Sequence, residues 1–227
     1  MEQKSARGEG IIVKRIYILC EGLTEERFVK ELLIPRFQVK QIYITPIIFP
    51  TKRTDFGGRF RGGLSNYSKI AKELSILCND HDAWVTSMLD YYQLPKETPG
   101  MNQRSGDLYA DITMIERAVE ADVNRTNLHV NLMVHEFESL LFSEPKCFSI
   151  VADDKAANQL CTIADQFTSP EEINSAVETA PSKRILRIIP TYKKIVDGIT
   201  LAQQIGLDRM IEVCPHFAEW IGWMRDC

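Results

Sequence analysis

Arg15-Ile16-Tyr17-Ile18-Leu19-Cys20-Glu21-Gly22-Leu23-Thr24-Glu25-Glu26 decides how the rest of the chain is read. A run of apolar and β-branched residues stops at an acid and a glycine, and a helical pattern begins at once. The run predicts a buried strand, and Thr24 predicts an N-cap with Glu25 and Glu26 in the first turn. Gly22 is expected to let the chain turn tightly behind Glu21. A carboxylate on a strand-to-helix turn lies at the carboxyl edge of a sheet, where α/β proteins place their chemistry. Glu21 is therefore the first candidate for a metal-dependent site.

The same architecture recurs downstream. Residues 24–38 place Phe28, Val29, Leu32, Leu33 and Phe37 on one helical face, with Pro35 loosening the last turn. Residues 41–49 are rich in β-formers and predict a second strand, assigned to an edge or a bulge by Pro46. After a helix over 65–77, residues 83–89 predict a third strand ending in Asp90. A loop over 93–106 and a helix over 108–122 lead to a fourth strand, 128–134, which runs into His135-Glu136-Phe137-Glu138. Three strands thus end in acids: Glu21, Asp90, and Glu136 or Glu138. Strands alternating with helices predict βαβ crossovers and a mainly parallel sheet, which collects its strand ends on one edge. Beyond residue 142 the pattern is helical, with starts near Pro181, over 195–205 and 207–213, and a final helix carrying Phe217, Trp220, Ile221 and Met224. The division expected is a tail over 1–10, an α/β core over 11–145 and a helical region over 146–227 packed on that core.

Composition narrows the function classes. The 227 residues are 44% hydrophobic, an ordinary globular value. No stretch approaches the roughly 18–20 unbroken apolar residues that span a bilayer. Met1 to Gly10 lacks the apolar core of a signal peptide, so a cytoplasmic protein is expected. The six cysteines form no Cys-x-x-Cys pair and the four histidines are dispersed, which argues against disulfide frameworks and zinc. A formal net charge of −4 argues against coating nucleic acid by bulk charge. A nuclease stays compatible with it, because local basic patches hold phosphates while carboxylates hold metal.

Mg²⁺ or Mn²⁺ is the cofactor that oxygen ligands such as Glu21, Asp90, Glu136 and Glu138 favour. Glu25, one turn from Glu21, either joins the ligands or serves the helix dipole; Glu26 is expected to stay structural. If the fourth strand continues, Glu136 and Glu138 share a face; if a helix has begun, they diverge by roughly 200°. His135 is a proton carrier, a phosphate anchor or a hydrogen-bonded structural residue. The glycine-rich basic loop over 51–63 offers Arg59 and Arg61 to phosphate, or is a mobile surface loop. Ser182, Lys183 and Arg184 at a helix start form a second anion-binding candidate, whereas Arg187 and Lys194 read as parts of a solvated helix face. A Cys214–His216 nucleophile pair is set aside, since Pro215 intervenes and no oxyanion motif is visible.

Taken in order, Cys20-Glu21-Gly22-Leu23-Thr24-Glu25, the Arg-Gly-Gly loop before Tyr67, Leu89-Asp90-Tyr91-Tyr92, His135 to Phe142, Pro181-Ser182-Lys183-Arg184 and Cys214-Pro215-His216-Phe217 resemble a bacterial TOPRIM-like family catalogued as domain-of-unknown-function 4276. The resemblance runs from Tyr17 to Trp220. It implies a TOPRIM-like α/β fold, as in topoisomerases, primases and overcoming-lysogenization-defect nucleases, where an acid after the first strand and an Asp-x-Asp pair manage Mg²⁺. Glu21 matches the first acid and Asp90 the first Asp, but Tyr92 stands where the second Asp belongs. The implied role is a nuclease effector for DNA or structured RNA, in phage defence, with an ABC-type ATPase partner and a homodimer among the assemblies to consider. The alternatives are a non-catalytic module binding nucleic acid or an ATPase, and a small-molecule phosphoryl-transfer enzyme using the same acids.

Overall fold

In the computed structural model, which describes residues 13–50, 66–174 and 177–227, the opening apolar run is the inner strand β1 (Lys14–Cys20). Ile16, Ile18, Leu19 and Cys20 are all fully buried, as expected of a parallel strand covered on both faces. β1 pairs with β2 (Ile42–Ile48) from Lys14↔Ile42 to Cys20↔Ile48, and on its other side with β3 (Trp84–Asp90) from Ile16↔Trp84 to Cys20↔Met88. Every pairing is parallel, and the order is β2-β1-β3-β4, with β5 also on β3. Pro46 lies in β2, the edge strand, as its missing N–H requires.

The helix after β1 starts earlier and is less regular than its sequence predicts. α1 (Leu23–Phe28) has Gly22, not Thr24, at its N-cap position, and Thr24 is buried inside the first turn. Gly22 has φ −158° and ψ −163°, extended backbone open to any residue, so the expected glycine turn is absent. A π-helical turn over Val29–Leu33 separates α1 from α2 (Ile34–Gln38). Pro35, near the start of α2, has no N–H to give and its ring crowds the preceding turn, which accounts for the widening.

The fourth strand is split into β4 (Leu128–His129) and β5 (Leu132–Met133). Between them the Ser87 hydroxyl enters the ladder, donating to the Asn131 carbonyl at 2.8 Å and accepting from its N–H at 3.1 Å. Glu120 and Glu116 of α4 (Leu108–Val123) accept the Val130 and Leu132 N–H groups, each at 2.8 Å. The segment's backbone is thus satisfied by side chains rather than by one continuous ladder.

Alternation along the strands sorts the core onto two faces. Ile16, Ile18 and Cys20 face α1, α2 and the C-terminal helices, whereas Leu19, Val85 and Leu89 face α3 (Tyr67–Leu77) and α4. The first cluster runs unbroken from Ile16 to Met224, so the helical region shares its core with the sheet. It contains α5 (Asp154–Ala164), α6 (Pro181–Ile188), α7 (Lys194–Ile205), α8 (Leu207–Val213) and α9 (Pro215–Asp226), close to the starts read from sequence. Trp220 of α9 fixes the union by donating its indole N–H to Thr86 Oγ1 of β3 at 2.9 Å. Among the described residues no helix is long and apolar enough to cross a membrane.

Candidate functional site

The strand order reverses direction between β1 and β3: the chain leaves β1 for β2 on one side and returns to β3 on the other. The carboxyl ends of two such strands flank the crevice where open parallel sheets bind ligands. Glu21 directly follows β1 and Asp90 is the last residue of β3, so both acids stand at this point. The Glu21 N–H donates to the Met88 carbonyl at 3.2 Å, and the Asp90 N–H donates to Glu21 Oε2 at 3.1 Å.

Three further acids join them. Glu25, on the first turn of α1, is 3% exposed, so the helix turns this acid inward while Glu26 pairs with Lys30 at 2.6 Å. Glu136 is extended, and a 3₁₀ helix over Phe137–Ser143 begins immediately after it. Neither a continued strand nor an α-helix therefore sets the relation between Glu136 and Glu138. Glu138 is fully buried, and the electrostatics of both Glu21 and Asp90 register Glu25 and Glu136 as neighbours.

One ammonium reaches into this group. Lys194, the first residue of α7, places Nζ 3.1 Å from Glu138 Oε2 and 3.8 Å from Glu25 Oε1. Its side chain is 39% exposed, although its Nζ lies against two buried acids. Sequence periodicity assigned Lys194 to a solvated face, and the structure corrects this. The available signal was its position: a cation in a first helical turn opposes the macrodipole and calls for a local reason.

The charge balance perturbs Glu21, Asp90, Glu138 and Lys194. Burial pushes the Glu21 carboxyl up to about 7 against the Asp90 N–H that favours its charge, and Glu25 and Glu136 add to the rise. Burial also takes Glu138 to about 7 despite Lys194, and Asp90 well above the ordinary carboxylate range. Lys194 is raised too, but by charge rather than burial: burial would lower it, and Glu138, Asp90, Glu25 and Glu136 together outweigh burial and hold its proton. One ammonium shared among several acids keeps its own charge without fully supporting theirs. Among the described residues, Asp90 Oδ1 and Glu138 Oε1 are buried without a partner and Glu138 Oε2 has only the Lys194 ion pair, which leaves ligand capacity unused.

The expected phosphate anchors are placed differently. Ser182 opens α6 as predicted, but its N–H and Oγ donate to Glu136 Oε1 and Oε2 at 2.6 and 3.0 Å. The anion at this helix start is the chain's own carboxylate, so Ser182 has no donor left for phosphate. Arg184 gives its Nε–H to the Thr179 carbonyl at 2.7 Å and lies over the Phe167 ring. Lys183 is exposed. Arg59 and Arg61 lie outside the described residues. Burial lowers His135 to about 4, so its ring is neutral and cannot anchor phosphate as a cation. It sits at φ +69°, unusual for a residue with a side chain, and its Nε2 has no partner among the described residues.

Cys214 and His216 form no nucleophile pair. Burial pushes the Cys214 thiol up to about 12, its sulfur faces Ser143 Oγ at 3.4 Å, and His216 Nε2 lies 2.9 Å from Glu116. Cavities of about 560 Å³ beside Tyr109 and Arg117 and about 650 Å³ beside Phe142 and Arg209 are lined by none of the five acids. Glu25, Asp90, Glu136 and Glu138 are buried, and Glu21 is partly so.

As a donor set they offer hard oxygen with excess negative charge, which suits Mg²⁺ or Mn²⁺ far better than zinc. Among the described residues, no three His, Cys, Asp or Glu side chains stand close enough together to enclose a metal ion. The orphaned Asp90 and Glu138 oxygens fit such an ion in chemistry; closing on it needs side-chain movement.

No curated protein and no solved structure matches this chain. A family described as a domain of unknown function (DUF4276) matches residues 20–225, from the residue before Glu21 to the last turn of α9. The chain belongs to that family.

Proposed function

We propose that the chain is a divalent-metal-dependent nuclease, hydrolysing phosphodiesters of DNA or structured RNA on a TOPRIM-like fold. The observation that carries this reading is the gathering of Glu21, Glu25, Asp90, Glu136 and Glu138 at the switch point of a parallel sheet, with Asp90 Oδ1 and Glu138 Oε1 buried and unpartnered among the described residues. An acid after β1 beside an acid ending the adjacent β3 is also the placement that the TOPRIM resemblance implies. Glu21, Asp90, Glu25 and Glu138 would hold Mg²⁺ or Mn²⁺. Such an ion would neutralise charge on the phosphoryl oxygens and lower the pKa of the attacking water.

The chain's own groups supply orientation and proton transfer. The Asp90 N–H fixes Glu21 through Oε2, and Oε1 accepts no hydrogen bond among the described residues, so one oxygen is held and the other is free to exchange a proton. Glu136, bound by both donors of Ser182, ties the start of α6 to the edge. The partner implied by the family resemblance is an ABC-type ATPase.

Glu21→Gln tests the reading: with Mn²⁺ and plasmid DNA, single-stranded DNA or tRNA, cleavage is expected to fall by about 10²-fold or more. A folded Glu21→Gln protein that cleaves as fast as wild type refutes it. A second reading, a non-catalytic module, is favoured by Tyr92, which is 39% exposed where the resemblance expects a second Asp. It expects nucleic-acid binding that survives EDTA and Asp90→Asn, with no cleavage.

A further inference from the structure

We propose that Lys194 is a tethered counter-ion competing with the divalent metal for the strand-end acids, so that metal loads only as the ammonium leaves. This rests on the metal-site reading above and assigns Lys194 a place in it.

The geometry supplies each part of the competition. Glu136 is already held by Ser182, which leaves Glu21, Glu25, Asp90 and Glu138 around one ammonium. Nζ reaches Glu138 Oε2 and Glu25 Oε1 at 3.1 and 3.8 Å, yet among the described residues Asp90 Oδ1 and Glu138 Oε1 have no partner. Among the described residues, one positive charge is therefore inserted where several acids compete for it, and the set remains short of positive charge. A divalent ion using the same oxygens would meet the ammonium within a few ångström, in a site too buried for water to screen the repulsion.

The way out is also built. The Lys193 N–H donates to Asp197 at 2.7 Å, fixing the first turn of α7. Tyr192 packs against Gly198, where an added Cβ would come within 2.8 Å of the tyrosine Oη. With the backbone held on both sides, the flexible stem of Lys194 and its 39% exposure let the head group alone move to solvent. A phosphate arriving at the edge offers the displaced ammonium another anion, so substrate and metal would load together.

Calorimetric titration of the full chain with Mn²⁺ tests this without measuring turnover. Lys194→Met is expected to bind Mn²⁺ about ten-fold or more tightly than wild type, and Lys194→Arg, which keeps the charge, to stay near wild type or weaker. Circular dichroism checks folding; if Lys194→Met is unfolded, Lys194→Gln takes its place. Wild-type binding with Lys194→Met equal or weaker overturns the competition and leaves the metal site standing. Absence of Mn²⁺ binding in every folded variant overturns both.

Discussion

Replacing Glu138 by glutamine should stabilise the metal-free protein at alkaline pH, although it removes one side of a 3.1 Å ion pair. Glu138 is fully buried; among the described residues Oε2 has Lys194 as its partner and Oε1 has none. Its carboxyl is pushed up to about 7 by burial, against the pull of Lys194. A folded-state pKa above the unfolded one means that the associated stability is complete below the unfolded value, near 4.5, and is lost as pH rises through about 7. The full loss is about 3 kcal/mol, of which about 2 kcal/mol falls between pH 5.5 and 8.5. Glutamine has nearly the same shape and cannot ionise, while Lys194 keeps Asp90 and Glu25 as neighbours. Urea unfolding in EDTA, for wild type and Glu138→Gln at both pH values, should show the variant's relative stability growing by about 2 kcal/mol with pH. Glu21 titrates in the same range, so the comparison between proteins is the informative quantity rather than either slope alone. A gap that is flat or shrinks toward pH 8.5 would mean that the ion pair outweighs burial, and would refute this account of the charge balance.

Two further substitutions probe the frame around the site. Gly198→Ala should destabilise by about 1–2 kcal/mol despite alanine's better helix propensity, because the new methyl meets Tyr192 Oη at 2.8 Å and Phe137 at 3.3 Å; a thermal melt at or above wild type would show that those rings yield. Glu116→Gln should lower the pKa of His216: burial pulls the imidazole down, but its 2.9 Å contact with Glu116 prevails and raises it. That raised value contributes stability present below the unfolded histidine pKa and lost as pH rises through the folded one. The variant should lose this dependence, which NMR titration of His216 and unfolding near pH 6 and 8 would check; an unchanged His216 titration would remove Glu116 as the cause.

What the sequence made legible follows from how each feature is encoded. An apolar run buried on both faces, and the acid that ends it, are local facts, and parallel topology carries strand ends to one edge without any long-range contact being known. Glu21 and Asp90 are 69 residues apart, yet both were placed by this logic alone. The Ser182 helix start was equally local, and it does bind an anion. That anion is Glu136, 46 residues earlier, whose extended backbone and following 3₁₀ turn belong to neither of the periodicities used to read it. Lys194 was misread because its burial depends on α7 packing against α1, a contact between distant segments that no helical period records. Candidate ligands at strand ends can be collected from local pattern, but their charge balance is a tertiary quantity. That balance, with one ammonium among several buried acids, decides whether Glu21 and Glu138 stand ionised at neutral pH, and a list of strand-end acids omits the residue that sets it.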